Sequence, residues 1–299
     1  MSIQSLNSIV DAALKKGNRK LAVVVAQDED VLKAVCNAAD KGLITPILIG
    51  DKDEIVAVSA KAGVDTSGFE VLQERDKSLA CSKAVKMVKD GQADILMKGL
   101  VPTGQLVRAI LDKENGLLKG GLLSHLAFFE SPYYHKILCI TDAALNINPD
   151  FDEKVAIVRN AVNTLHRIGI ANPLVAILAP LETVNPKMEA TVHAAMLTQM
   201  QKRGQIEGCE IDGPLALDNA VSSEAARHKG LVSAVAGNAD VLVAPDLNTG
   251  NVLYKSLNFL GGAVCAAIVA GAEVPVVLTS RADQDKSKFL SIALAVSMT

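Results

Sequence analysis

Apolar residues along this chain fall into short runs separated by longer amphipathic stretches. Residues 21–26, 44–49, 95–97, 137–140, 175–178, 241–243 and 274–278 are rich in Val, Ile and Leu and lack strict alternation. That is the pattern of strands covered on both faces. Between them, residues 31–39, 78–89 and 152–167 place apolar side chains at helical spacing. Alternating strands and helices predict an α/β architecture with mainly parallel strands. The stretch 259–278 is apolar except for Glu273, but Gly261, Gly262, Gly271 and Pro275 interrupt it. It predicts a buried helix followed by a buried strand, and it is too broken for a membrane span of about 20 residues.

The pattern also repeats. GQADILMKGLVPTGQLV at 91–107 and GNADVLVAPDLNTGNVL at 237–253 align without a gap. Gly, Ala, Asp, Leu, Thr and Gly are shared, which marks a repeated supersecondary unit. In each copy a short strand leads through a turn into Thr-Gly and then a helix. Thr103 and Thr249 are placed to cap those helices. Gly104 and Gly250 permit close backbone approach. The amides of a first helical turn can also hold an anion, and such loops lie at the carboxyl ends of strands, where α/β sheets bind ligands. One copy in each half predicts two related domains with a cleft between them. Helix capping alone would account for both Thr-Gly pairs equally well. No long linker appears; residues 146–150 (NINPD) are one candidate hinge.

At 299 residues the chain is long enough for about two domains. Hydrophobic residues are 49% and charged residues 21%, which excludes a largely disordered chain. Aromatics are 3%, Trp is absent and the net charge is -3, so neither stacking platforms nor a basic surface exists for nucleic acid. Cys36, Cys81, Cys139, Cys209 and Cys265 form no CxxC pair, the usage of a reduced compartment. No basic-then-apolar leader opens the chain. A cytoplasmic protein with no membrane partner is expected.

Several chemistries lack their signatures: there is no GxSxG, GxxxxGK[ST], GxGxxG or HExxH. The five histidines are scattered, and no metal site is expected. What remains is basic and polar. The strand at 274–278 runs into Ser280-Arg281, where a guanidinium can grip phosphate through paired hydrogen bonds beside a neutral hydroxyl donor. An ordinary strand–turn–helix join, with Asp283 or Asp285 capping the last helix, is the plainer reading. Arg108 lies one turn beyond Gly104, and Lys98 follows the strand 95–97. Either could equally be a solvated surface charge.

Taken together, KGLVPTGQLVRAIL (98–111), LLSHLAFFE (122–130), ITDAALNINPD (140–150), IDGPLALDNAV (211–221), ADVLVAPDLNTGNVLYK (239–255) and VPVVLTSRAD (274–283) make the chain resemble the phosphate acetyltransferase/phosphate butyryltransferase family over essentially its whole length. The resemblance is nearer the butyryl branch, since the acetyl branch typically has Gly-Cys after its Ser-Arg and this chain has Ala282-Asp283. It implies two three-layer α/β domains of the isocitrate/isopropylmalate dehydrogenase kind with an interdomain cleft. The domains would be 1–147 plus 270–299, and 148–269. It implies reversible acyl transfer between coenzyme A and inorganic phosphate, with butyryl-CoA as substrate, no tightly bound cofactor, and a homodimer or larger homo-oligomer. Ser280 and Arg281 match the family's Ser-Arg pair, Arg on phosphate and Ser on the CoA sulfur. Arg108 matches an arginine on the helix after the Thr-rich loop. Lys136 stands where the acetyl branch has a second arginine. Ser287 stands where that branch has an aspartate proposed as base for the CoA thiol, which leaves Asp283 and Asp285 for that role. Lys98, Thr103, Ser124, Asn248, Thr249, Gly250 and Asn251 complete the expected substrate contacts. The competing readings are acetyl preference, a metal-dependent dehydrogenase on the same fold, and a non-catalytic CoA- or phosphate-binding module.

Overall fold

A computed structural model describes residues 5–118, 121–280 and 283–299. The elements begin α1 (Leu6–Lys16), β1 (Arg19–Val24), α2 (Glu29–Asp40), β2 (Ile44–Gly50), α3 (Lys52–Ala62), β3 (Glu70–Gln73), α4 (Lys77–Lys89), β4 (Ile95–Lys98) and α5 (Thr103–Ile110). There follow β5 (Ser124–Glu130), β6 (Leu138–Thr141), α6 (Phe151–Arg167), β7 (Leu174–Leu178), α7 (Glu189–Lys202), β8 (Glu210–Leu215), α8 (Leu217–Val221) and α9 (Ser223–His228). The last are β9 (Val241–Val243), α10 (Leu247–Phe259), β10 (Val264–Ala270), β11 (Val276–Val277) and α11 (Asp285–Ser297). Local chemistry sets the helix starts. The Asp28, Asp51 and Asp76 carboxylates accept amides of α2, α3 and α4, and Asp150 with Glu153 forms a capping box on α6.

The chain divides into two compact units. The first comprises Asn7–Leu123 and Ala266–Thr299. Its strands run in the order β3-β2-β1-β4-β11-β10, parallel except where β10 meets β11. From β1 the chain goes out to β2 and β3, then returns to β4 on the other flank. The β1/β4 boundary is therefore a topological switch point, the place where open α/β sheets bind ligands. The second unit comprises residues 5–6 and 124–265. Its strands run β5-β6-β9-β7-β8, with β5 antiparallel to β6 and the other pairs parallel.

The units part at 123/124 and 265/266, whereas the sequence reading divides the chain at 147/148 and 269/270. Residues 124–147 fall in the second unit because β5 and β6 build its sheet, β6 pairing with β9. The candidate hinge 146–150 is the β6–α6 loop inside that unit. A helix before residue 270 was also expected from 259–278; residues 264–270 instead form β10. Gly262, at φ 62, follows the end of α10, and the run VCAAIVA is buried along nearly its whole length, as a central strand requires. No described helix is long and apolar enough to cross a membrane.

Candidate functional site

In the first unit the site is built where β1, β4 and β11 end. At the switch point Val25 adopts φ 55, a conformation costly for a β-branched residue. Its carbonyl accepts the Leu100 amide at 2.7 Å, and the Val24 carbonyl accepts that of Gly99 at 2.8 Å. A Cβ on Gly99 would lie 2.2 Å from the Val25 oxygen. Only glycine lets the two strand ends come this close.

The loop after β4 is held from beneath. Lys98 is 6% exposed, and its Nζ donates to the carbonyls of Gly99 at 3.1 Å and Val101 at 3.3 Å. α5 then starts after Pro102, which offers no side-chain cap, with no acid in its first turn. Thr103 is the first helical residue rather than the cap. A helix start without a carboxylate keeps its partial positive charge for an anion.

β11 pairs in parallel with β4, Val277 opposite Met97, so its loop emerges beside this one. Ser280 is exposed there, and its amide donates to the Asp283 carboxylate at 2.8 Å. The Asp283 amide returns a bond to the Ser280 carbonyl at 3.2 Å. Asp283 is 3% exposed. Neither aspartate is the N-cap of α11, which is Gln284 without a side-chain bond. Asp283 closes the turn, and Asp285 stands exposed in the first turn of α11, accepting the Lys286 amide at 2.8 Å. Arg281 and Ala282 lie outside the described residues. Arg108 is exposed and lines a cavity of about 340 Å³ with Ser78, Ser82, Lys86 and Gln105, between α4 and α5.

The second unit's carboxyl edge is organised differently. Asp142, after β6, accepts the amides of His125, Ala144 and Leu145 and the Asn146 side chain. A Cβ on Gly250 would lie 2.0 Å from the Asp142 carbonyl oxygen, and Asn251 donates to the Ala143 carbonyl at 3.0 Å. Thr249 does not cap α10: Asp246 does, accepting the Thr249 amide at 2.9 Å. Asn248 and Thr249 are exposed. Ser124 is fully buried and accepts from Asn160 at 3.0 Å. Lys136 sits at the opposite edge, before β6, paired with Asp240 at 2.7 Å. A cavity of about 810 Å³ is lined by Leu178, Met188, Leu217, Val252, Glu189 and Asp246 among others. Apolar walls with two carboxylates admit an aliphatic group and repel phosphate. The candidates thus separate into Lys98, Thr103, Ser280, Asp283 and Asp285 on one edge, and Ser124, Asn248, Thr249, Gly250 and Asn251 on another.

A family model described as phosphate acetyl/butaryl transferase matches residues 5–80 and 77–296. The chain belongs to that family. It is accordingly a transferase. It is 48% identical to the phosphate butyryltransferase of Clostridium acetobutylicum, over 98% of this chain and 97% of that one. It is 41% identical to the phosphate acetyltransferase of Thermotoga maritima, over 97% and 98% of the two chains. The crystal structure of a branched-chain phosphotransacylase from Enterococcus faecalis V583 matches with a TM-score of 0.83 and 33% identity, over 94% of this chain and 98% of that one.

Two features escaped the sequence reading. Lys288 is 3% exposed and donates to the carbonyls of Ser280, at 3.4 Å, and Asp283. Its signal was available: it opens a run, FLSIALAV, apolar on every side, so a lysine there enters the core. Asp246 stands three residues ahead of Thr249, the spacing of a capping carboxylate. The cysteines carry no nucleophile: all five are free and buried, and burial pushes Cys36, Cys81 and Cys209 up to about 11. Among the described residues no three His, Cys, Asp or Glu side chains converge to hold a metal.

Proposed function

We propose that the chain transfers a short acyl group reversibly between coenzyme A and inorganic phosphate, butyryl-CoA and phosphate giving butyryl phosphate and CoA. One observation carries the placement of the chemistry. Within the first unit, the Ser280 turn and the uncapped start of α5 stand on adjacent parallel strands. In this reading Arg281 binds phosphate, and the first amides of α5 share its charge. Ser280 donates to the CoA sulfur.

In the direction of acyl phosphate synthesis a phosphate oxygen attacks the thioester carbonyl carbon. The carbonyl becomes an oxyanion, collapses, and expels the thiolate of CoA. In reverse the thiolate attacks the acyl phosphate and phosphate leaves. Each route needs donors around a developing oxyanion and two reactants held in line. Asp283 is engaged in the turn, so in this reading Asp285, exposed at the start of α11, accepts the thiol proton. CoA is a substrate, and no tightly bound cofactor enters these steps. A homodimer or larger homo-oligomer and a cytoplasmic location complete the reading.

Incubation with butyryl-CoA and phosphate releases free thiol; no release from acetyl-, butyryl- or longer acyl-CoA overturns the assignment. Comparing kcat/KM across that series decides between butyryl and acetyl preference. Arg281→Ala lowers kcat by about 100-fold or more with the fold intact, the scale of one lost transition-state donor. Near-normal turnover refutes the phosphate role.

A further inference from the structure

We propose that Lys288 is the positioning residue for Ser280: its buried ammonium, acting through two backbone carbonyls, holds the turn that presents Ser280 at the end of β11. This rests on the role given to Ser280 above.

Burying an ammonium costs several kcal/mol unless its donors are satisfied. The rest of α11 beyond Lys288 is apolar or small and equally buried. An aliphatic residue would fill that site at no such cost, so the charge has a use. The turn shows it. The Ser280 carbonyl accepts from the Asp283 amide and from Lys288 Nζ. The Asp283 carbonyl accepts from the same ammonium. The Asp283 carboxylate fixes the Ser280 amide. Both backbone groups of Ser280 are thereby pinned while the residue itself is exposed. Lys98 is the same device one strand away, a buried ammonium under the carbonyls of Gly99 and Val101. Each of two neighbouring loops at one sheet edge therefore has its carbonyls drawn inward onto a lysine. In the second of these loops this fixes the backbone on which the exposed Ser280 is carried.

Lys288→Met keeps the apolar stem and removes the charge. It lowers kcat/KM by about 100-fold, the effect of a displacement on the ångström scale. Amide exchange in the segment 278–285 speeds up while that of α2 and the body of α11 is unchanged. In a Ser280→Ala background the same substitution costs less than about 3-fold, because two residues acting as one unit are not additive. A Lys288→Met enzyme within about twofold of wild type, or one whose loss multiplies in full with that of Ser280→Ala, overturns the proposal. Asp283→Asn opens the same turn from its carboxylate side. If Lys288→Met does not fold, Asp283→Asn must show the same non-additivity with Ser280→Ala, and full additivity overturns the proposal. Should the wild-type protein transfer no acyl group, the function reading falls by itself, and unchanged exchange at 278–285 in Lys288→Met then overturns the positioning role.

Discussion

The two copies of the repeated segment are alike up to the end of the strand and unlike beyond it. Gly91 and Gly237 both take positive φ, 71 and 77. The Asp94 carboxylate accepts the Lys20 amide at 2.8 Å, and the Asp240 carboxylate accepts the Leu174 amide at 2.8 Å. β4 pairs in parallel with β1, as β9 does with β7. Then the copies part. Lys98 aligns with Ala244 and Leu100 with Asp246. The first copy gains a buried cation beneath its loop and a helix start with no carboxylate. The second gains a carboxylate cap and no cation in that place. A repeat thus fixes where a loop begins; two positions, one at the strand's end and one just past it, decide whether a buried cation lies beneath the loop and whether a carboxylate caps the helix.

The shared glycine is the hardest test of this contrast. Gly250→Ala puts a methyl group 2.0 Å from the Asp142 carbonyl oxygen, so backbone must move. We expect a loss of about 3 kcal/mol, the top of the overpacking range, read as a lower denaturation midpoint at unchanged slope. Gly104→Ala meets nothing within 4 Å. There alanine gains up to about 1 kcal/mol from helix propensity, while KM for phosphate rises if the ligand lies against that backbone. Equal destabilisation at both positions would erase the distinction between an open loop and a packed one.

Much of this was legible in the sequence. The parallel α/β class followed from uninterrupted Val/Ile/Leu runs, and the repeat located both strand–turn–helix joins. What could not be read depended on contacts distant along the chain. VCAAIVA reads as helix or strand until the neighbours that bury it are known. Asp283, three residues after Ser280, suggests chemistry or a cap; only the closed turn shows that its carboxylate goes to an amide. Lys136 looked like a cation near a site until Asp240, over a hundred residues on, took it at the other edge. The capping roles given to Thr103 and Thr249 failed for a local reason. The helices start at Thr103 itself and at Leu247, so the cap positions belong to Pro102 and Asp246.

Asp246 supplies a gentler test. Asp246→Ala removes the carboxylate from the Thr249 amide and should cost about 1 kcal/mol, the usual value of an N-cap. For a chain of 299 residues that is a fall in Tm of about 1.5–2 °C. The aligned Leu100→Ala removes no cap, so its effect must come from packing alone. A silent Asp246→Ala would mean that the second copy's amides are as uncommitted as the first's.

The smallest expected effect concerns the buried lysines themselves. In the first unit Lys98 and Lys288 aim at loop carbonyls, which do not titrate. In the second, Lys154 Nζ lies 3.0 Å from His193 Nδ1, which does. Burial, and then the Lys154 charge, hold the His193 pKa below its ordinary range, against the opposing pull of Glu189 and Asp150. Burial pushes Lys154 down as well. The folded state therefore favours a neutral imidazole that accepts from the ammonium. Below the ordinary histidine value of about 6.5 the unfolded chain binds the proton that the folded one resists, so stability present above that pH is lost as pH falls through it. His193→Gln keeps an acceptor and removes the titration. The fall in Tm between about pH 7 and pH 5 should be shallower in this variant than in wild type, with the two nearest in slope above about pH 7. Parallel curves throughout would show that Lys154 and His193 are not coupled, and that the second edge keeps its cation as the first does, on groups indifferent to acid.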